Sequence, residues 1–132
     1  MNTADKNTRD YDAIIRTVQQ YIEGSRDGKS EVMRSGFHAE ATIVGFFGGG
    51  LVSGPIQKLF DLIDGNGPAP DIEPRFASIE VLETIAVVHL EVKRWSGKVI
   101  GPEPRTMSDL FNLIKTESGW KIAQKMFHLD LG

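Results

Sequence analysis

The sequence predicts an α+β domain in which helices pack on one face of an antiparallel sheet. Apolar residues recur at helical spacing in the first half of the chain and alternate with polar residues in the second half. The change falls in residues 66–74, a stretch that contains three prolines. Because the helices come before the strands, the order favours helices on one side of an antiparallel sheet.

The length of the chain favours a single domain. Its 132 residues can bury one core but are too few for two ordinary domains. We predict this domain over residues 9–132, preceded by a flexible polar tail at residues 1–8. The hydrophobic and charged fractions, 40% and 25%, are those of an ordinary globular protein.

The composition also argues against several classes of partner and site. The net charge is -3 and neither sign forms a long block, which argues against a nucleic-acid partner. Cysteine is absent, so disulfides and Cys-ligated zinc are excluded. No apolar run approaches the length of a membrane span and the N-terminus lacks the apolar core of a secretory signal. We therefore expect a cytoplasmic protein without a membrane partner.

Three helices are predicted before the loop. The first is capped by Thr8 and ends at Gly24, a second short helix covers residues 30–35, and a third runs from Pro55 to Gly65. The apolar residues of the first helix fall on one stripe: Tyr11, Ile14, Ile15, Val18, Tyr21 and Ile22.

The strands are predicted as three hairpins. Residues 41–47 and 51–53 flank a run of three glycines, and residues 75–82 and 85–95 flank a two-residue turn. The closing hairpin covers residues 105–128. The glycine run lacks the spacing of a phosphate-binding loop, so no nucleotide cofactor is expected.

The register of the closing hairpin decides which residues share its apolar face. An even-length loop places Lys115 opposite Trp120, whereas an odd one would mix charge into the apolar face. With the even loop, one face carries alternate residues of both strands: Met107, Asp109, Phe111, Leu113, Trp120, Ile122, Gln124, Met126 and His128. Asp109 and His128 are then diagonal neighbours.

Asp109 and His128 are therefore the candidate catalytic residues. Desolvation on an apolar face raises the pKa of a carboxylate towards the value that a general base needs. The alternative is a structural Asp109, held by Lys125, Arg105 or a backbone amide, since a charged partner lowers its pKa.

Other side chains are assigned as follows. His38 is interpreted as a capping residue and His89 as an interface or surface residue. The three histidines lack the spacing of metal ligands, so no metal is expected. Aromatic side chains are candidates to line a cavity, with core packing as the alternative. Together with one methionine, the candidate ligand-binding residues are Tyr11, Tyr21, Phe60, Phe111, Trp120 and Met126.

Two segments, YIEGSRDGKSEVMRSGFHAEATIVG near the start and DLFNLIKTESGWKIAQKMFH at the end, carry a family resemblance. Over residues 11–128 the chain resembles the nuclear-transport-factor-2-like superfamily, and within it the lumazine-binding and SnoaL-like small bacterial proteins. This resemblance implies a cone-shaped, cystatin-like fold with an internal pocket under a strongly curved sheet. It also implies a homodimer formed through the convex sheet face. Apolar residues on the second face of the hairpin favour a homodimer as well: Leu110, Ile114, Ala123 and Phe127.

Three functions are consistent with the sequence. The first is a pocket protein that binds a small aromatic or cyclic apolar compound without chemistry. The second is a cofactor-free acid-base lyase, isomerase or cyclase of SnoaL type, and the third is a dimeric interaction module with a vestigial pocket. A salt-bridged Asp109 favours the first or third, whereas an unpaired Asp109 within reach of His128 favours the second.

Overall fold

The computed structural model describes residues 3–130, with side chains from residue 8 onward. The helices are α1 (Thr3–Asp27) and α2 (Gln57–Asn66). The strands are β1 (Phe37–Phe47), β2 (Gly50–Pro55), β3 (Glu73–Leu82), β4 (Ile85–Gly97), β5 (Gly101–Thr116) and β6 (Gly119–Asp130). They form one sheet in the order β2-β1-β6-β5-β4-β3, in which only the β1–β6 pair is parallel. The predicted α+β class with an antiparallel-dominated sheet is confirmed.

The number of helices differs from the prediction, because the described residues form two α-helices instead of three. The segment predicted as the second helix consists of two 3₁₀ turns, Ser30–Val32 and Arg34–Gly36. Ser30 does not cap an α-helix there. Its amide and hydroxyl both donate to Asp64 of α2, each at 2.8 Å. The segment between α1 and β1 is short, and a short segment favours 3₁₀ turns over a full α-helix.

Helix α1 is longer than predicted at both ends. It begins at Thr3, so Thr8 lies inside it, and it continues through Gly24 to Asp27. Gly28, with φ of 69°, supplies the left-handed conformation that ends it. Gly24 is required for packing instead, since a Cβ there would lie 2.8 Å from Cε of Met33. Of the predicted tail, residues 1 and 2 lie outside the described part, and its flexibility stays a prediction.

The closing hairpin has the predicted even register at its turn. Lys115 pairs with Trp120 and Leu113 with Ile122. Beyond that point Asn112 pairs with Gln124, so Ala123 is an extra residue on β6 and forms a β-bulge. A shift of one residue sends every following side chain to the opposite face.

The bulge makes part of the predicted face assignment wrong. Phe127 points into the core and is 7% exposed, whereas Met126 points outward and is 43% exposed. His128 is likewise on the outer face, on the other side of the sheet from the Asp109 side chain. Gly45 of β1 pairs with Phe127 and explains why Phe127, and not Met126, points into the core. A Cβ at Gly45 would lie 2.5 Å from Cδ1 of Phe127, so the glycine leaves the space that this ring fills.

The core lies between α1, α2 and the inner face of the sheet. Ile14, Val18 and Tyr21 of α1 are buried there, as the predicted stripe requires. Strand β4 contributes the buried residues Ala86, Val88, Leu90, Val92 and Trp95. Among the described residues, no helix is both long enough and apolar enough to cross a membrane.

Candidate functional site

Three polar side chains meet inside the core and form what we call the interior polar cluster: Tyr21, Asp109 and Lys125. Tyr21 comes from α1, Asp109 from β5 and Lys125 from β6. Asp109 and Lys125 are diagonal neighbours, because Asp109 pairs with Phe127 and Lys125 with Phe111. The bulge at Ala123 is what turns Lys125 inward. All three side chains are essentially inaccessible to solvent.

The contacts within the cluster connect all three residues. Lys125 Nζ lies 2.9 Å from Asp109 Oδ1, and the Tyr21 hydroxyl donates to Asp109 Oδ2 at 3.3 Å. The Lys125–Asp109 contact is an ion pair enclosed by the core. Lys125 Nζ also lies 4.5 Å from the ring centre of Phe127 and 5.4 Å from that of Tyr21. Both distances permit cation–π attraction.

Burial decides the proton equilibria of the cluster. Loss of solvation raises the pKa of Asp109, although Lys125 and the Tyr21 hydrogen bond oppose this shift. Loss of solvation also lowers the pKa of Lys125, and the charge of Asp109 opposes that shift. The pKa of Tyr21 is raised well above its usual value by burial and then by the charge of Asp109. Lys125 lowers the pKa of Asp109, as expected of a cationic partner, but desolvation raises this pKa by more.

Aromatic rings surround the cluster. The ring centres of Tyr21 and Phe111 are 5.0 Å apart, and those of Tyr21 and Trp95 are 6.2 Å apart. Trp95 is fully buried, and its Nε1 has no hydrogen-bond acceptor among the described residues. A buried indole N–H normally has a partner. The interior thus contains, on a ring that contacts Tyr21, an indole N–H without an acceptor among the described residues.

Sequence reasoning missed the role of Trp95 and named Lys125 only as a possible partner of Asp109. Pairing of β4 with β5 is irregular between Val92 and Trp95, and Arg94 has a φ of 61°. Simple alternation along β4 therefore cannot place Trp95. The signal for the bulge that turns Lys125 inward was weak: Phe127 and Leu129 alternate with the polar residues His128 and Asp130.

The structure separates the two predicted catalytic residues. Asp109 points inward, as predicted, but His128 lies with Met126 at an open depression of about 480 Å³ on the outer face. The residues around this depression are His89, Ser108, Asp109, Leu110, Met126, Phe127 and His128. Asp109 and Phe127 contribute to it although their side chains point to the other face. Asp109 and His128 cannot share a proton directly across the sheet.

The predicted ligand-binding residues are also dispersed. Tyr21 and Phe111 lie at the interior polar cluster, whereas Tyr11 is part-exposed on α1. Phe60 packs edge-to-face on Phe37, with ring centres 5.5 Å apart. Trp120 donates its Nε1 proton to Asp10 at 3.1 Å, which is a structural contact.

The described residues offer no constellation for a metal ion. Within that part of the chain, no three His, Asp or Glu side chains converge as a ligand set would. The candidate chemistry therefore depends on the carboxylate, amine and phenol of the interior polar cluster.

Comparisons with known proteins agree with this architecture. A family model described as "Putative lumazine-binding" matches residues 9–128. "Aldolase FrzH" from Cladobotryum sp is 30% identical over 119 residues, which cover 90% of each chain. An NTF2-like protein of unknown function from Shewanella baltica OS155 has 30% identity and a TM-score of 0.81, over 100% of this chain and 99% of that one. Another, from Methylobacillus flagellatus KT, has 31% identity and a TM-score of 0.82, over 98% and 95%.

Proposed function

Because this chain belongs to the lumazine-binding-like family of the nuclear-transport-factor-2-like superfamily, we propose that it binds a small aromatic or cyclic carbonyl compound at the interior polar cluster. The rings of Tyr21, Trp95 and Phe111 would contact a flat apolar body. A carbonyl oxygen would accept a hydrogen bond from Trp95 Nε1 or from Lys125.

The observation that carries this proposal is a charged pair buried among aromatic rings, one of which, Trp95, has an indole N–H without an acceptor in the described part of the chain. A buried ion pair is often no more stabilising than apolar residues of similar volume, because both ions lose their hydration. Stability alone therefore does not account for Asp109 and Lys125 in this core. Polar groups converging in an apolar interior are typical of small-molecule sites.

A second candidate function, acid-base catalysis on the bound carbonyl compound, has its own support. The relative named as an aldolase covers 90% of this chain at 30% identity. Burial raises the pKa of Asp109, which strengthens the carboxylate as a base. In this role Asp109 would remove a proton from the carbon next to the carbonyl group, and Lys125 or Tyr21 would stabilise the negative charge that develops on oxygen.

One experiment tests both functions. A panel of aromatic and cyclic ketones is titrated into the protein by calorimetry, and proton exchange next to the carbonyl group is followed by NMR in deuterated water. Trp95→Phe keeps the ring but removes the N–H, so we expect affinity to fall about fivefold, the effect of one hydrogen bond. Binding without exchange supports the first function. Exchange that Asp109→Asn abolishes while binding persists supports the second.

His128→Gln discriminates between the interior cluster and the outer depression, because His128 lies on the outer face alone. We expect its affinity and exchange to match those of the unaltered protein. Loss of binding in His128→Gln, with Trp95→Phe unaffected, would contradict the interior site and place the ligand in the outer depression.

We also propose that the outer face of the sheet forms a homodimer. Leu110, Ile114 and Met126 point outward from adjacent strands and leave more apolar surface exposed than a solvated face needs. Phe127, which the sequence placed on this face, points inward and does not contribute. The remaining exposed apolar residues form a strip across β4, β5 and β6 that Asn112 interrupts: Ile85, Val87, Leu110, Ile114 and Met126.

Light scattering at micromolar concentration is expected to give twice the 14.6 kDa mass of the chain. Leu110→Lys should return the mass to that of one chain, because it places a charge in the strip. Val99→Lys is the matched control. Val99 and Leu110 are each 44% exposed, but Val99 lies in the turn between β4 and β5. A single-chain mass for the unaltered protein would refute the dimer.

A further inference from the structure

Lys125 differs from the other cationic side chains of residues 8–130 in its surroundings. It is 1% exposed and is the cation that the core encloses in this part of the chain. Lys121, four residues earlier, donates instead to the Ser35 carbonyl oxygen at the surface, at 2.6 Å. The Lys125 amine contacts a carboxylate and two aromatic rings. Such an environment can make a lysine reactive by favouring its unprotonated amine, the form whose nitrogen has a free electron pair.

The same surroundings favour the unprotonated amine. Burial lowers the pKa of Lys125 and raises the pKa of Asp109, so both shifts move the shared proton from nitrogen towards the carboxylate. With Asp109 Oδ1 2.9 Å from Nζ, the proton has a short path. In the form with the proton on Asp109, the pair is a neutral amine beside a carboxylic acid, which is a nucleophile beside a proton donor.

We propose that Lys125 forms an imine with the carbonyl group of the bound compound, an inference that rests on the proposed function and deepens it. The Lys125 nitrogen adds to the carbonyl carbon, a C–N bond forms, and the electron pair of the C=O π bond moves to oxygen. That oxygen takes the proton of the Asp109 carboxyl group. A second proton, from the nitrogen, leaves with the oxygen as water, and the C=N bond of the imine forms.

Asp109 has a second task after the imine has formed. The imine is protonated more readily than a ketone is, so it withdraws electrons from the neighbouring carbon more strongly. The Asp109 carboxylate lies close enough to the amine to remove a proton from that carbon, which gives an enamine. The enamine carbon can then bond to a carbonyl carbon. No oxidant or metal takes part in this sequence.

The test uses 2,4-pentanedione, a small diketone. It condenses with a neutral amine to an enaminone and releases one water, which intact-protein mass spectrometry detects. Peptide mapping of the unaltered protein at neutral pH then assigns the modified lysine. We expect Lys125 to react several-fold faster than Lys115 or Lys121, which serve as internal controls in the same molecule.

Because the mapping uses the unaltered protein, the result does not depend on whether a Lys125 variant folds. Where Lys125→Met does fold, the fast-forming adduct should be lost, while Lys121→Met should retain it. Labelling confined to surface lysines, or equal rates at Lys125 and Lys121, would overturn the imine. If calorimetry still detects ketone binding in that case, the proposed function survives and the imine alone fails.

Discussion

Lys125→Met is expected to lower the free energy of unfolding by about 3–5 kcal/mol, because it leaves the Asp109 carboxylate buried without its cation. The free energy can be measured by urea unfolding followed by circular dichroism. The double variant Asp109→Leu/Lys125→Met should recover most of this loss, since an apolar pair of similar volume carries no desolvation cost.

Lys121→Met is the matched control for that measurement. Its amine contacts a backbone carbonyl at the surface, so its loss should change the free energy of unfolding by less than about 1 kcal/mol. A double variant as unstable as Lys125→Met alone would show that the cost comes from lost packing. Equal stability of Lys125→Met and the unaltered protein would show that the ion pair is not enclosed as described.

Trp120→Ala is expected to cost about 3–5 kcal/mol, since it empties a large volume in the core. Trp120 is 5% exposed on the inner face, beside Ile122 and under α1, and its Nε1 donates to Asp10 of that helix. The variant removes the ring and the link between sheet and helix together. An unfolding midpoint that does not change would contradict the inward placement of Trp120.

Trp120→Phe separates the two contributions. It retains most of the apolar ring but cannot donate to Asp10, so about 1 kcal/mol of the cost should remain. Asp10 keeps its contact with Lys115 Nζ, at 2.9 Å, which limits the penalty for the lost indole donor. A cost for Trp120→Phe as large as that of Trp120→Ala would assign the effect to the hydrogen bond instead of to packing.

Local patterns in the sequence were sufficient for the class of fold and for much of the closing hairpin. The change from helical to alternating spacing placed both α-helices before residue 67 and only strands after it, which the structure confirms. The charge of Lys121 and the apolar character of Leu113 selected the even register, and with it the inward direction of Asp109. These features depend on residues that are close in sequence. The spacing of apolar residues, with a period of two in a strand and 3.6 in a helix, therefore indicates them directly.

The sequence predicted one local element, the α-helix at residues 30–35, that the structure does not contain. Ser30 begins a helix-like pattern, but its hydrogen-bonding groups are used by Asp64, 34 residues later. A local capping rule cannot anticipate a competitor on another helix. Two 3₁₀ turns therefore replace the expected α-helix.

The composition of the site was decided by tertiary structure. From residue 124 onward the face of Met126 carries one apolar residue and the face of Phe127 carries two, so alternation indicates the change of face only weakly. The second of these residues, Leu129, lies beyond the predicted end of the hairpin at His128. Gly45, on a strand 82 positions away, leaves room for the Phe127 ring, and the bulge at Ala123 follows from that packing. As a consequence Lys125 replaces His128 as the partner of Asp109. The depth of burial of that pair, which only the assembled core sets, then outweighs its mutual attraction and raises the pKa of Asp109.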